Sequence, residues 1–183
     1  MSALPHAPGA PSGWILRWAH LVAPGGTVLD VACGSGRHLR WFAARGFRVT
    51  GVDRDAAATT SLQGSGRIVT ADIENGPWPF AGETFDAVVV TNYLWRPLMP
   101  TLIASVADGG VLIYETFALG NEVFGKPSNP AFLLRPGELL EHARGLQVVA
   151  YEDGVLVDPP RRVQRLVARR GVAAAAPLES LPP

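Results

Sequence analysis

The chain has 183 residues, of which 48% are hydrophobic and 17% are charged, and this is the size and balance of one globular domain. Sixteen basic residues match sixteen acidic ones, so nucleic-acid binding is not favoured, and no apolar run approaches the roughly 20 residues that cross a bilayer. Cys33 is the only cysteine and the amino terminus does not resemble a secretory signal, so we expect a cytoplasmic protein without disulfide bonds.

The first two thirds of the chain alternate strand patterns with helical patterns. The first eleven residues are rich in Pro, Ala and Gly and predict a flexible arm, and residues 12–170 are the predicted folded domain, in which Ser12 caps a first helix. Strands are predicted at 27–32, 47–52, 67–71, 85–91 and 111–116. Helices are predicted near 36–45, 55–62 and 97–107. This alternation favours a doubly wound α/β sheet that is mostly parallel.

The last third departs from this alternation. A loop is predicted at 117–134, and Pro136 is placed to open a helix at its first turn. Two strands then follow each other without a helix, at 146–152 and 162–168. Residues 171–183, rich in Ala and Pro, are expected to form a disordered tail.

A glycine-rich turn at the end of the first predicted strand indicates a nucleotide-binding site. In VLDVACGSGRHL, Gly34 and Gly36 allow the backbone to approach a ligand closely, and Asp53 ends the next strand seventeen positions after Gly36. The turn lacks the third glycine of the dinucleotide fingerprint and the Lys-Ser/Thr pair of a P-loop. A nucleoside without phosphates therefore fits it better than a dinucleotide or a nucleoside triphosphate.

The pattern Asp-x-Ala-Cys-Gly-Ser-Gly resembles motif I of the class I, Rossmann-like S-adenosylmethionine (SAM)-dependent methyltransferases, and the resemblance extends from Trp14 to Arg170. It implies a seven-stranded sheet with helices on both faces and an antiparallel carboxyl-terminal strand. The long loop and the helix at Pro136 are similar to those of the small tellurite-resistance and thiopurine-type methyltransferases. The resemblance implies SAM as the cofactor, with S-adenosylhomocysteine (SAH) as its product, and no metal.

The resemblance also implies cofactor-binding roles for residues at the strand ends. The turn would pass under the methionine part of SAM, Asp53 would hold the ribose hydroxyls, and Asp72 would lie near the adenine. Asp30 is expected to orient the turn and the ammonium group of the ligand. The complete predicted cofactor set is Asp30, Ala32, Gly34, Gly36, Asp53, Arg54, Asp72, Ile73 and Asn92.

The catalytic candidates follow the fourth predicted strand. The carboxyl ends of parallel strands share one edge, so we expect Asn92, Tyr93 and the pair Glu115–Thr116 beside the donor. Methyl transfer from a sulfonium is an in-line displacement in which alignment and exclusion of water dominate, and a catalytic base is optional. Asn92 and Tyr93 are therefore candidates only, and Tyr93 is interpreted equally as a substrate contact or a core residue.

The long loop, residues 117–134, is predicted to form a lid over the methyl acceptor, because it is too apolar for a disordered spacer. Lys126 and Arg135 would place positive charge at the rim of this lid, where an anionic substrate could bind. Arg96 would cover the donor or pair with an acidic substrate. The predicted substrate-binding residues are Tyr93, Arg96, Phe124, Lys126 and Arg135. Arginines 161, 162, 165, 169 and 170 are interpreted as part of a charged edge strand.

Three functions remain open on the sequence alone. A small-molecule methyltransferase requires a closed pocket under the long loop, whereas a tRNA or protein methyltransferase requires the loop and the arginines to form one open basic face. A non-catalytic methyltransferase-like module would be favoured by a degraded turn, and the turn is intact. The preferred interpretation is an enzyme with a small-molecule acceptor, no membrane partner, and a monomeric or homodimeric state.

Overall fold

A mixed sheet of seven strands forms the framework of the computed structural model, which describes residues 9–171 and residue 178. The strands are β1 (Thr27–Val31), β2 (Arg48–Asp53), β3 (Arg67–Thr70), β4 (Phe85–Thr91), β5 (Val106–Phe117), β6 (Gln147–Val157) and β7 (Pro160–Arg169). Their order is β3-β2-β1-β4-β5-β7-β6; β1 to β5 are parallel, and β7 runs antiparallel to both neighbours. The predicted fold class is confirmed. Most of the predicted arm and tail lies outside the described residues.

Short helices connect these strands. The α-helices are α1 (Gly13–Trp18), α2 (Arg37–Ala43), α3 (Ala56–Thr60), α4 (Met99–Ala104) and α5 (Glu138–His142). Single 3₁₀ turns lie at Ala19–Leu21, Arg96–Leu98, Asn121–Val123 and Pro130–Phe132, and the last two fold the long loop. In the described part of the chain, no helix combines the length and the apolar character of a membrane-spanning segment.

Both faces of the sheet are buried, as alternate side chains of β4 show. Val88 and Val90 pack into a core with α4 and α5, whereas Ala87 and Val89 pack into a second core with α1 and α2. All four side chains are fully buried. A central parallel strand covered on both faces reads as a continuous apolar run, which is why the sequence located β4 correctly.

The prediction that the carboxyl-terminal arginines belong to an edge strand is wrong, because β7 lies between β5 and β6. The long hairpin of β6 and β7 adds two strands beyond β5 and places β6 at the edge. The five guanidinium groups have partners inside the fold: Glu115 for Arg161 and Arg165, Asp153 for Arg162, and backbone carbonyls for Arg169 and Arg170. They therefore do not form an open basic face.

An ion cluster around Glu138 fastens the long loop to the domain. The side chain of Glu138 is 1% exposed at the start of α5. Its carboxylate accepts hydrogen bonds from Nε of Arg96 at 2.6 Å and from the backbone N–H of Arg135 at 2.7 Å. Arg96 also donates to the carbonyls of Ala131 and Leu133 at 2.7 and 2.8 Å. One buried carboxylate thus holds the end of the loop against the residues that precede α4.

Glu138→Gln is expected to lower the free energy of unfolding by about 3 kcal/mol, because it leaves Arg96 without its charged partner. This value is at the low end for a buried ion pair, because the side chain of Arg96 is partly exposed to solvent. Burial alone would raise the pKa of Glu138, but the hydrogen bonds from Arg96 and from the backbone of Arg135 outweigh it and lower the pKa from 4.5 to about 2. The stabilisation is therefore complete above pH 4.5 and is lost as the pH falls toward 2.

Urea unfolding of wild type and variant, from about pH 7 to about pH 3, measures this difference. The difference in the free energy of unfolding between wild type and variant should become smaller below pH 4.5, the ordinary pKa of the glutamate side chain. A gap that stays constant over this range would contradict the assignment.

Candidate functional site

The turn between β1 and α2 holds three residues in the left-handed backbone region. Ala32, Gly34 and Gly36 have φ values of 52°, 51° and 72°. A Cβ at Gly36 would overlap the side chain of Leu62, which is fully buried, whereas a Cβ at Gly34 would project into open space. Packing therefore requires glycine at Gly36, and backbone conformation favours it at Gly34.

Asp53 ties the end of β2 to this turn. Its Oδ2 accepts a hydrogen bond from the backbone N–H of Gly34 at 2.7 Å, and its Oδ1 accepts one from Asp55 at 2.9 Å. An ionised carboxylate offers about four acceptor positions, so Asp53 retains capacity for two further donors. Asp53 thus shapes the glycine turn and keeps free acceptor positions for a ligand.

Asp30 supports the turn from behind. Its side chain is 1% exposed, and its Oδ2 accepts from the backbone N–H of Leu39 in α2 at 3.2 Å. Burial raises the pKa of Asp30 to about 7, although the hydrogen bond from Leu39 and the charge of Arg37 act to lower it. Asp30 thus ties β1 to the first turn of α2. Its roles in orienting the glycine turn and in contact with a ligand ammonium stay predictions.

A cavity of about 160 Å³, here the first cavity, lies at the carboxyl ends of β1 to β4. Its lining residues are Ala32, Asp53, Arg54, Ala71, Asp72, Ile73, Glu74 and Tyr93. Five of these belong to the predicted cofactor set, so the structure brings together residues that are 41 positions apart, from Ala32 to Ile73. The other four members of that set form the turn, support it, or line a neighbouring cavity.

Asp72, predicted to lie near the adenine, also forms a turn with the residues that follow it. Its Oδ1 accepts from the backbone N–H groups of Glu74 and Asn75 at 2.9 and 3.2 Å, and its Oδ2 accepts from the Asn75 side chain at 3.0 Å. These bonds, that of the Asn75 side chain first, lower the pKa of Asp72. The turn brings Glu74 to the first cavity. This residue was missed by sequence reasoning, and its position two residues after Asp72 is the feature that could have indicated its place in the site.

A second cavity, of about 230 Å³, is walled on one side by the long loop. Its lining residues are Glu74, Asn92, Tyr93, Leu94, Thr116, Phe117, Pro127 and Phe132. Glu74 and Tyr93 also line the first cavity, so they mark the junction of the two. Asn92, at the end of β4, has a φ of 55°, a left-handed conformation that asparagine tolerates better than most residues.

Tyr93 is half-buried at this junction. The hydroxyl oxygen is buried and has no hydrogen-bond partner among the described residues. The backbone carbonyl of Tyr93 accepts a hydrogen bond from the hydroxyl of Tyr114 at 2.8 Å, and this bond holds the backbone of Tyr93 in place. Burial first, and then the charge of Glu74, raise the pKa of Tyr93, so it stays protonated at neutral pH. The ring packs on the core and lines both cavities, and the two interpretations of Tyr93 are compatible.

The structure separates the other predicted substrate residues. Lys126 lines an open extension of the second cavity, beside Phe132. Phe124 is 43% exposed and lines neither cavity. Arg96 and Arg135 are directed to Glu138, whose buried carboxylate attracts them, and neither lines a cavity. The predicted roles of these two arginines as substrate contacts stay predictions, which the geometry of the two cavities does not support.

A buried polar network lies beside the ends of β4 and β5. Ser12 donates its backbone N–H to Nε2 of His38 and its hydroxyl to Glu115, both at 3.1 Å. The neutral ring of His38 therefore carries its proton on Nδ1, which faces Oγ1 of Thr91 at 3.4 Å. Burial, with the charge of Arg37, lowers the pKa of His38 to about 3 and keeps it neutral. Glu115, predicted on the rim, is 0% exposed.

Residues 28–109 match the model of a family described as a methyltransferase domain. This stretch includes the glycine turn, β1 from its second residue, β2 to β4 and every residue that lines the first cavity. The chain contains a class I SAM-dependent methyltransferase domain. Within residues 9–171, the domain brings together no group of three or more His, Cys, Asp or Glu that would hold a metal ion.

Two curated relatives match this methyltransferase domain in sequence. A protein-L-isoaspartate O-methyltransferase of Chlorobaculum tepidum is 32% identical over 126 residues, which are 65% of this chain and 55% of the relative. A malonyl-[acyl-carrier protein] O-methyltransferase of Serratia marcescens is 31% identical over 107 residues, which are 54% of this chain and 41% of the relative. The chain thus spans about half the length of these relatives.

Solved structures share the fold of the methyltransferase domain. TehB from Haemophilus influenzae has a TM-score of 0.70 and 21% identity, over 88% of this chain and 63% of that one. A TehB-like SAM-dependent methyltransferase from Corynebacterium glutamicum has a TM-score of 0.63 and 20% identity, over 87% of this chain and 88% of that one. At these identities the likeness establishes the fold.

The glycine turn allows a matched pair of variants. Gly34→Ala and Gly36→Ala each place a Cβ in the left-handed region and should each cost about 1–2 kcal/mol. Gly36→Ala must also displace Leu62, so its free energy of unfolding should be lower than that of Gly34→Ala by about 1–3 kcal/mol. Urea unfolding of both variants measures the difference. Equal stabilities would show that Leu62 does not set the requirement for glycine at Gly36.

Proposed function

We propose that this methyltransferase domain transfers the methyl group of SAM to a small-molecule acceptor. The observation that carries the proposal is the adjacency of two cavities, one at the glycine turn and one at the long loop, which share Glu74 and Tyr93. An in-line displacement requires a donor and an acceptor held end to end, because alignment supplies much of the rate enhancement. Two adjacent cavities that share lining residues suit this requirement.

The residues of the first cavity fit SAM. Gly34 leaves open space beside the turn, where the methionine part would lie, and Asp53 offers acceptor oxygens to two ribose hydroxyls. Ile73 offers an apolar contact to the adenine, next to Asp72. When bound, SAM supplies an electrophilic methyl group on a sulfonium. The residues of the chain position the acceptor toward this methyl group, and the walls of the second cavity exclude water.

Two features favour a small molecule over a nucleic acid as the acceptor. The second cavity has a volume of about 230 Å³, which suits one or two rings and not a macromolecular surface. The arginines of β7 pair with Glu115, Asp153 and backbone carbonyls, so they do not join the long loop in the open basic face that phosphate backbones require.

A protein-linked acceptor is the second candidate. Both curated relatives are named for methylation of a protein or of a group carried by a protein. Val123 and Phe124, on the long loop, are 76% and 43% exposed and would be available to such a carrier. Methyl transfer to a protein that is lost in Phe124→Asp, with transfer to small molecules retained, would favour this candidate.

SAH is expected to bind the protein and raise its melting temperature. Selective binding at about 100 times the Kd stabilises the folded state by about 2.7 kcal/mol, which corresponds to roughly 5–10 °C for a chain of this length. NAD serves as the control and should produce no shift. Thermal unfolding with each ligand measures the effect, and a shift with NAD but none with SAH would overturn the proposed cofactor.

Asp53→Asn should weaken SAH binding at least about tenfold, because a charge-assisted hydrogen bond to the ribose contributes ~1.5–3 kcal/mol. Asp55→Asn is the matched control: Asp55 caps α3, asparagine caps a helix equally well, and Asp55 does not line the first cavity. Calorimetric titration of SAH into both folded variants measures the effect. If the two variants bind SAH equally well, the ribose does not lie at Asp53.

A further inference from the structure

We infer that the second cavity takes a nitrogen heteroaromatic ring, whose neutral ring nitrogen is the methyl acceptor and whose methylated product is a cation held beside Glu74. The inference deepens the proposed function and rests on it, since it assumes that the first cavity holds the methyl donor. It is carried by the walls of the second cavity and by the distribution of charge around it.

The walls of the second cavity suit a flat ring. The aromatic rings of Phe117 and Phe132, with the ring of Pro127, form the side given by the long loop, and Leu94 and Tyr93 form the other side. Aromatic side chains and proline offer flat apolar faces, on which a planar ligand stacks with little loss of conformational entropy. The cavity volume of about 230 Å³ accommodates one ring or two fused rings.

The charge in the lining of this second cavity is negative, and the cation Arg54 lines the first cavity instead. Glu74 is the charged residue in its lining, and it stands at the junction with the first cavity. The cations that the sequence placed near an acidic acceptor are paired elsewhere: Arg96 lies 2.6 Å from Glu138, and Arg135 lies 3.3 Å from it. Lys126 lines the open extension and not the second cavity itself. A carboxylate acceptor would therefore meet a like charge, whereas a cation would meet an opposite one.

The chemistry of transfer to a ring nitrogen uses this charge. The lone pair of the nitrogen forms a bond to the methyl carbon as the carbon–sulfur bond breaks, and the electron pair of that bond remains on sulfur. The positive charge thus passes from sulfur to nitrogen, and no proton leaves the acceptor. No catalytic base is needed, because no proton leaves the acceptor. The negative carboxylate of Glu74 at the junction stabilises the positive charge that develops on nitrogen.

Tyr93 is consistent with this acceptor. Its hydroxyl oxygen is buried, and burial, with the charge of Glu74, raises its pKa, so it stays a neutral phenol. A neutral phenol adds no charge of its own, so Tyr93 does not alter the preference that Glu74 gives the cavity.

A pair of isosteric probes tests the inference without knowledge of the natural substrate. N-methylquinolinium has the shape of the proposed product, and 1-methylnaphthalene has the same shape without the charge. Calorimetric titration into the SAH-bound protein should show that the cation binds about tenfold more tightly or better, as expected for one charge-assisted contact. The carboxylate 1-naphthoate should bind more weakly than either.

Two variants assign the effect to Glu74. Glu74→Gln should reduce the preference for the cation over its neutral isostere to about twofold or less, whereas Glu141→Gln, the same change on α5 away from both cavities, should retain it. Phe132→Ala should weaken both probes similarly. Equal binding of the two probes to wild type, or a preference that survives in Glu74→Gln, would overturn the inference.

The test separates this inference from the proposed function. Isotope-labelled methyl transfer from SAM to quinoline and isoquinoline, compared with 2-naphthol and 2-naphthalenethiol, should place the label mainly on nitrogen. Label on oxygen or sulfur alone would refute the nitrogen acceptor and leave the methyltransferase proposal intact. Absence of SAH binding to wild type would refute the proposed function itself.

Discussion

The hydrogen bond from the backbone N–H of Gly34 to Asp53 is the contact on which the arrangement of the site depends. It joins the turn after β1 to the end of β2 at 2.7 Å, and so fixes the glycine turn relative to the strand that follows it in the chain. With Asp30 holding α2 from the other side, the turn has little freedom. The first cavity exists because these two carboxylates constrain one short segment of backbone.

The parts of the molecule that depend on local sequence could be predicted. The strand β4 matches its predicted range because a fully buried strand has an unambiguous apolar pattern, and the turn at Gly34 and Gly36 was found because glycine marks positive φ. The clustering of Ala32, Asp53 and Asp72 follows from the rule that the carboxyl ends of parallel strands share one edge.

The parts that depend on long-range side-chain pairing could not be predicted. Arg96 and Glu138 are 42 residues apart, and nothing in the spacing of either indicates that they form an ion pair. The arginines of β7 look like surface charge in the sequence, yet two of them pair with the buried Glu115. The missed lining residue Glu74 reaches its cavity through a turn made by Asp72. In each case the sequence shows that a side chain is charged, but it does not show which residue that side chain contacts.

Separate sets of hydrogen bonds hold Ser12 and Arg170, near the two ends of the continuously described residues, at opposite edges of the sheet. Ser12 is bound to His38 and Glu115 at the edge of the sheet that carries the cavities, whereas Arg170 is bound to the backbone of Gly109 and Gly110 at the opposite edge. A fusion partner or affinity tag joined at the amino-terminal side would therefore approach the ligand-binding edge. One joined at the carboxyl-terminal side would leave that edge clear, which makes it the better choice for immobilisation.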